Sequence, residues 1–256
     1  MVLKTDNLDQ AEVSRFDAAA SQWWNPSGDF APLHRLAQAR LTFIRDQLVE
    51  NASLSGARSD APSHDKSSPL VGLSIVDVGC GGGLVTEPLA RMGANVSGID
   101  PGPGNIGAAQ AHARIEGLDI DYNAITVEAL AETSATFDAV LCLEVLEHVP
   151  DPNAFLQSCA QILKPGGLLI TSTINRTMKS YALAIVAAEY IFDIVPRGTH
   201  DWNRFIRPND LKTMLSDCGL MPVKFEGMVL EPLANTWRLA ADTDVNYIAS
   251  ARKTST

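Results

Sequence analysis

Cysteine is sparse and scattered in this 256-residue chain: Cys80, Cys142, Cys159 and Cys218 form no C-x-x-C pair. That spacing argues against a zinc knuckle or a disulfide framework, and reduced thiols in a cytoplasmic protein are the simplest reading. Positive charge is also short. Twenty Lys and Arg face 30 Asp and Glu, for a formal net charge of −10 and a pI near 4.9. A broad nucleic-acid surface needs a basic patch, so nucleic acid is not an expected partner. No apolar run reaches the ~18 residues of a spanning helix. The stretch Met1 to Asp9 has no apolar signal core and is too acidic for a transit peptide.

What the chain does have is a glycine turn behind a strand. Residues 75–83 read Ile-Val-Asp-Val-Gly-Cys-Gly-Gly-Gly, and Asp100 ends the next apolar run. Glycine has no Cβ, so Gly79 and Gly81 let bare backbone approach a ligand. A carboxylate about 20 residues further on is placed to accept hydrogen bonds from ribose hydroxyls. The dinucleotide fingerprint requires a third glycine where this chain has Leu84. Asp77 puts negative charge beside the turn, which suits a cation better than a pyrophosphate. S-adenosylmethionine, with a ribose, a sulfonium and no phosphate, fits both observations. The run Asp77 to Gly83 resembles the first motif of Rossmann-like methyltransferases.

Elsewhere the chain divides into a helical extension over 1–50, broken at Asn25-Pro-Ser-Gly28, and a linker over 51–69 with six serines, two prolines and one glycine. A Rossmann-like domain over 70–256 follows. Its strands are expected at 73–78, 95–100, 119–123, 137–143, 168–174, 221–230 and 245–251: seven, mostly parallel, with helices on both faces. Pro88 predicts a kink or late start in the helix after the glycine turn. Asn105 is the expected cap of the next helix, and Lys164-Pro-Gly-Gly167 the stop of a later one. Trp23 and Trp24 read as packing residues.

The fourth strand runs into Cys142-Leu-Glu-Val-Leu-Glu-His-Val-Pro-Asp-Pro152. On a helical turn Glu144, Glu147 and His148, at i, i+3 and i+4, would share a face at the sheet edge where such folds bind ligands. Two carboxylates and an imidazole there either hold a divalent cation, which would acidify an acceptor hydroxyl, or supply a general base, with His148 removing the proton directly. One imidazole nitrogen cannot do both. An insertion over 175–207 carries the apolar run Tyr181 to Val195, flanked by Arg176, Lys179, Arg197, Arg204 and Arg207; from Thr173 to Pro208 the charge is +2 against −12 for the remainder. It reads as an interfacial helix on an anionic membrane, a lid for a greasy substrate, or both.

Further stretches carry a closer resemblance: Phe16-Asp-Ala-Ala-Ala-Ser-Gln-Trp-Trp24, Phe30-Ala-Pro-Leu-His-Arg35, Glu144 to Pro152, Val195-Pro-Arg-Gly-Thr-His-Asp201 and Asp244-Val-Asn-Tyr247. By these the chain is similar to the bacterial ubiquinone biosynthesis O-methyltransferases over most of its length. The resemblance implies O-methylation of a 2-polyprenyl-6-hydroxyphenol and of 3-demethylubiquinol. It implies a cytoplasmic enzyme, or one peripheral at the inner membrane or in a ubiquinone-biosynthesis complex. Carried over position by position, cofactor contacts fall on Arg40, Gly79, Asp100 and Leu143, and the likeness to related eukaryotic enzymes implies a magnesium-like ion at Glu144, Glu147 and His148. A methyltransferase with a small soluble acceptor, a nicotinamide oxidoreductase and a non-catalytic cofactor-binding module are the rival readings.

Overall fold

The computed structural model describes residues 7–28, 30–55, 68–183, 201–231, 234 and 236–254. Strands β1 (Ser74–Val78), β2 (Asn95–Ile99), β3 (Asp121–Asn123), β4 (Phe137–Leu143), β5 (Leu163–Ile174), β6 (Leu220–Glu231), β7 (Thr236–Ala240) and β8 (Asn246–Lys253) form one sheet in the order β3-β2-β1-β4-β5-β8-β6-β7. β1 to β5 pair in parallel; β8 is antiparallel to β5 and to β6, and β7 is antiparallel to β6. The strand count is therefore eight rather than the expected seven. The extra strand, β7, is a five-residue edge strand paired with one neighbour; exposed Thr236 and Arg238 alternate there with half-buried Trp237 and Leu239, a signal carried by a very short run.

The α-helices among the described residues are α1 (Gln10–Ala18), α2 (Ala31–Ser55), α3 (Thr86–Arg91), α4 (Pro103–Ile115), α5 (Val127–Ala131), α6 (Pro152–Gln161), the single turn α7 (Met178–Ser180) and α8 (Pro208–Asp217), with short 3-10 turns at Ala20–Gln22 and Trp202–Arg204. Pro88 has the predicted consequence: α3 starts late, at Thr86. The helical extension runs five residues past its expected end, to Ser55, and 56–67 lie outside the described residues. So do 184–200, which hold most of the apolar run and Arg197. Lys164-Pro-Gly-Gly167 does not separate helix from strand. β5 begins before it, and the register jumps from Phe137↔Leu163 to Ala139↔Leu168, so the Pro-Gly-Gly run is absorbed as an irregularity inside the strand.

Alternation along β4 divides the core. Ala139 and Leu141 face α2 and α3, with Phe43, Ile44, Leu48 and Leu89. Val140 and Cys142 face α6 and α8, with Leu156, Cys159, Leu211 and Leu215. A strand covered on both faces reads as a near-continuous apolar run, which is why its bounds were legible. No described helix is long and apolar enough to cross a membrane.

Leu141 is fully buried in this central strand. Leu141→Ala is expected to destabilise the fold by about 2–5 kcal/mol through lost burial and a cavity, read as a lower urea midpoint at unchanged m-value.

Candidate active site

The sheet order reverses between β1 and β4, and ligands of such sheets bind at the carboxyl ends of the strands flanking that point. The glycine turn leaves β1 there. Gly79 and Gly81 have φ of 73° and 53°, a region that non-glycine residues seldom adopt. Gly79 and Cys80 donate their N–H groups to the Ile99 carbonyl at 2.8 and 3.0 Å, which ties the turn to β2. A Cβ on Gly79 would come within 2.6 Å of Val145, and one on Gly81 would overlap Trp23. Asp100 follows β2 and accepts from Gly81 N (3.1 Å), Gly102 N (2.8 Å) and Asn105 Nδ2 (3.1 Å). Oδ1 takes two of these and Oδ2 one, so acceptor capacity remains on Oδ2. Asp77 lies deeper. It accepts from Thr86 Oγ1 at 2.7 Å, and burial, reinforced by the nearby Asp100 charge, pushes its carboxyl up to about 6.

The amino-terminal extension closes over this turn. Trp23 donates from Nε1 to Asn105 Oδ1 at 2.8 Å and stacks on Phe30 with centroids 3.8 Å apart. Trp24 donates to the Gly82 carbonyl at 2.9 Å and stacks on His112 at 3.4 Å. Asn105 is not the cap of α4. The N-cap is Gly102, and Asp17 of α1 supplies the missing acceptor, taking the Gly104 and Asn105 N–H groups at 2.6 and 3.2 Å. Glycine provides no side-chain oxygen for those donors, so a carboxylate from another helix fills the role. Asn105 instead links Trp23 to Asp100.

Residues 144–148 leave β4 as a turn and not as a helix. Glu144 has φ 54°, which breaks the helical course and with it the shared face expected of Glu144, Glu147 and His148. Each has a separate partner. Glu144 Oε1 accepts from Ser172 Oγ at 2.8 Å and lies 2.8 Å from Arg40 Nη2. Glu147 is buried and accepts from Thr173 Oγ1 at 2.9 Å; burial, with the neighbouring Glu144 charge, holds its carboxyl above the usual range. His148 Nδ1 lies 2.8 Å from Glu12 Oε2 of α1. Among the described residues no three His, Cys, Asp or Glu side chains group as a metal centre, and these three, directed to separate partners, do not fit one.

A cavity of about 290 Å³ joins the two halves of the site. Gly79, Gly81, Asp100 and Leu143 line it, as do Glu144, Glu147 and His148, whereas Asp77 and Arg40 do not. Arg40 is buried; its charge is paired with Glu144, yet neither Nε nor Nη2 makes a well-directed hydrogen bond. A buried guanidinium with idle donors is suited to a carboxylate ligand. Much of the rest of the wall comes from residues that sequence reasoning did not assign to the site, among them Glu12, Val13, Phe16, Trp23, Phe30 and Leu33. The specific run 16–24 marked their neighbourhood but not their role.

The raised carboxyl of Asp77 gives a test with a definite sign. Between its ordinary value of 3.8 and about 6, the folded state binds more protons than the unfolded chain. Its contribution to stability is therefore most favourable below that window and declines as pH rises through it. Replacing Asp77 by Asn removes this slope, so the change in Tm of the ligand-free protein between pH 4 and pH 6 should shift upward relative to wild type.

Comparison with known proteins agrees with this fold. Residues 76–171 match a family described as a methyltransferase domain. The chain resembles, in fold only, the magnesium protoporphyrin IX methyltransferase from Synechocystis PCC 6803 with bound SAH, at 21% identity and TM-score 0.62, over 94% of this chain and 95% of that one. It is 50% identical to the ubiquinone biosynthesis O-methyltransferase of Azorhizobium caulinodans over 94% of this chain and 92% of the relative. The corresponding figures for that of Cereibacter sphaeroides (strain KD131) are 48%, 98% and 99%. With a Rossmann-like fold, a glycine turn at its switch point and near-complete alignment to these relatives, the chain belongs to the ubiquinone biosynthesis O-methyltransferase family.

Proposed function

We propose that this chain methylates phenolic hydroxyls of polyprenylated rings, at both O-methylation steps of ubiquinone synthesis: on a 2-polyprenyl-6-hydroxyphenol and on 3-demethylubiquinol. The observation that carries the reading is one cavity lined on one side by Gly79, Gly81, Asp100 and Leu143 and on the other by His148. S-adenosylmethionine supplies the electrophilic methyl group when bound. Asp100 offers its remaining acceptor site to ribose, Gly79 and Gly81 line the same cavity, and Arg40, paired with Glu144 of the cavity lining, adds positive charge on the side assigned to the cofactor carboxylate. In-line displacement needs alignment above all, and Phe16, Trp23 and Phe30 provide rigid apolar walls that keep water from the acceptor ring. His148 takes the hydroxyl proton.

The readings of metal and membrane are now narrower. With Glu144 beside Arg40, and Glu147 and His148 each bonded elsewhere, no step in the proposed reaction passes through magnesium. In the insertion, Arg176, Lys179 and Arg204 are ion-paired with Asp210, with Asp242 and Asp244, and with Asp9 respectively. The proposed contact with a membrane surface or a biosynthetic complex therefore rests on the exposed apolar side chains Met178, Tyr181 and Leu183 more than on charge. A soluble small-molecule acceptor would make no use of that apolar edge.

Asp100→Ala should weaken S-adenosylmethionine binding by roughly 1–3 kcal/mol through lost hydrogen bonds; unchanged calorimetric affinity would remove the ribose assignment. Methyl transfer to both pathway acceptors, assayed with and without chelator, tests the function itself. Turnover of both acceptors is expected in either condition, and no turnover of either would refute the reading.

A further inference from the structure

Helix α1 brings Glu12 to His148 across 136 residues of sequence. Glu12 Oε2 lies 2.8 Å from His148 Nδ1 and 2.7 Å from Arg15 Nη2. The hydrogen bond from His148, against the opposing effect of burial, holds the Glu12 carboxyl below its ordinary range. An ionised carboxylate can only accept, so the short contact requires the imidazole proton on Nδ1. The lone pair is then on Nε2, which has no hydrogen-bond partner among the described residues. Phe16 meets the ring edge-on at 5.2 Å and 82°, which restrains its rotation. Glu12, Phe16 and His148 all line the cavity.

We propose that Glu12 is the positioning residue for His148: it fixes the tautomer and aim of the imidazole and steadies the cation formed when Nε2 takes the acceptor's proton. The inference rests on His148 being the base of the proposed reaction. In the step concerned, the acceptor O–H bond breaks and its proton moves to Nε2; the electron pair left on oxygen forms the bond to the methyl carbon as the methyl–sulfur bond breaks, its pair leaving on the sulfur of S-adenosylhomocysteine. The imidazolium later returns that proton to water. A carboxylate behind an imidazole performs this orienting role without itself taking the proton. Arg15, on the same oxygen as His148, keeps that carboxylate ionised and in place.

The test compares acceptors of different acidity. Glu12→Gln and Glu12→Asp are assayed with a prenylated catechol and with its nitro-substituted analogue, whose hydroxyl is already ionised at neutral pH. Calorimetry with S-adenosylmethionine checks that each variant folds and binds. Glu12→Gln is expected to lower kcat on the plain catechol by roughly 100-fold, the usual scale of general-base assistance, with KM for S-adenosylmethionine little changed. The deficit should nearly vanish on the nitro acceptor, and Glu12→Asp should recover part of the loss on the plain one. Equal losses on both acceptors, or no loss on the plain catechol, would overturn the assignment. If Glu12→Gln does not fold, Glu12→Asp reads the same contrast. His148→Ala run in parallel separates two failures. A loss confined to the plain catechol in His148→Ala but absent in the Glu12 variants rejects only the role of Glu12. A loss in His148→Ala that ignores acceptor acidity rejects the base.

Discussion

The site is held together by a short relay of hydrogen bonds in which Trp23 donates to Asn105 and Asn105 donates to Asp100. Asp100 in turn receives the Gly81 N–H, so an indole from the amino-terminal extension, the first turn of α4 and the glycine turn are one connected unit. Each member is buried, and buried polar groups are worth most when every partner is present. Burial also raises the Asp100 carboxyl above its ordinary range, with the bonds from Asn105, Gly102 and Gly81 opposing that shift. The turn is therefore set before any ligand arrives.

The extension does more than cover the sheet. Its α2 builds half of the core against β1, β4 and β8 and carries Arg40 to Glu144. Its α1 has no buried residue of its own and is attached instead through polar contacts. Asn7 bonds Asp151, Asp9 pairs with Arg204, Glu12 with His148, and Asp17 caps α4. One helix is thus anchored by packing and the other, with the residues just ahead of it, by directed bonds to three separate segments. That division suits a wall that must be accurately placed yet has solvent on its outer side.

How much of this was legible follows from the range of the interactions involved. The bounds of β4 and β2, the late start of α3 and the glycine turn were readable because local chemistry decides them: apolar continuity, a proline, a missing Cβ. The cap of α4 was misassigned because Asn105 has the right residue type, while the acceptor in use, Asp17, is brought there by tertiary packing. The Glu-x-x-Glu-His spacing suggested a shared helical face, but Glu144 turns out of the helical path with φ 54° and spacing alone does not report that. Trp23 and Trp24 did prove to be packing residues, with Trp23 also forming part of the cavity wall. The pairing of Glu12 with His148 had no local signal at all.

That long separation has a bearing on how the chain comes to fold. During synthesis α1 emerges before the sheet, yet Asn7 and Asp9, just ahead of it, pair with Asp151 and Arg204, 144 and 195 residues further along. It is amphiphilic only weakly and buries nothing by itself, so it waits as a polar helix or coil while the sheet assembles behind it. Contacts of such sequence separation form late, because loop closure must precede them. The cavity is accordingly completed by residues made before the sheet, and a nascent polypeptide that already has its glycine turn still lacks one wall of that cavity.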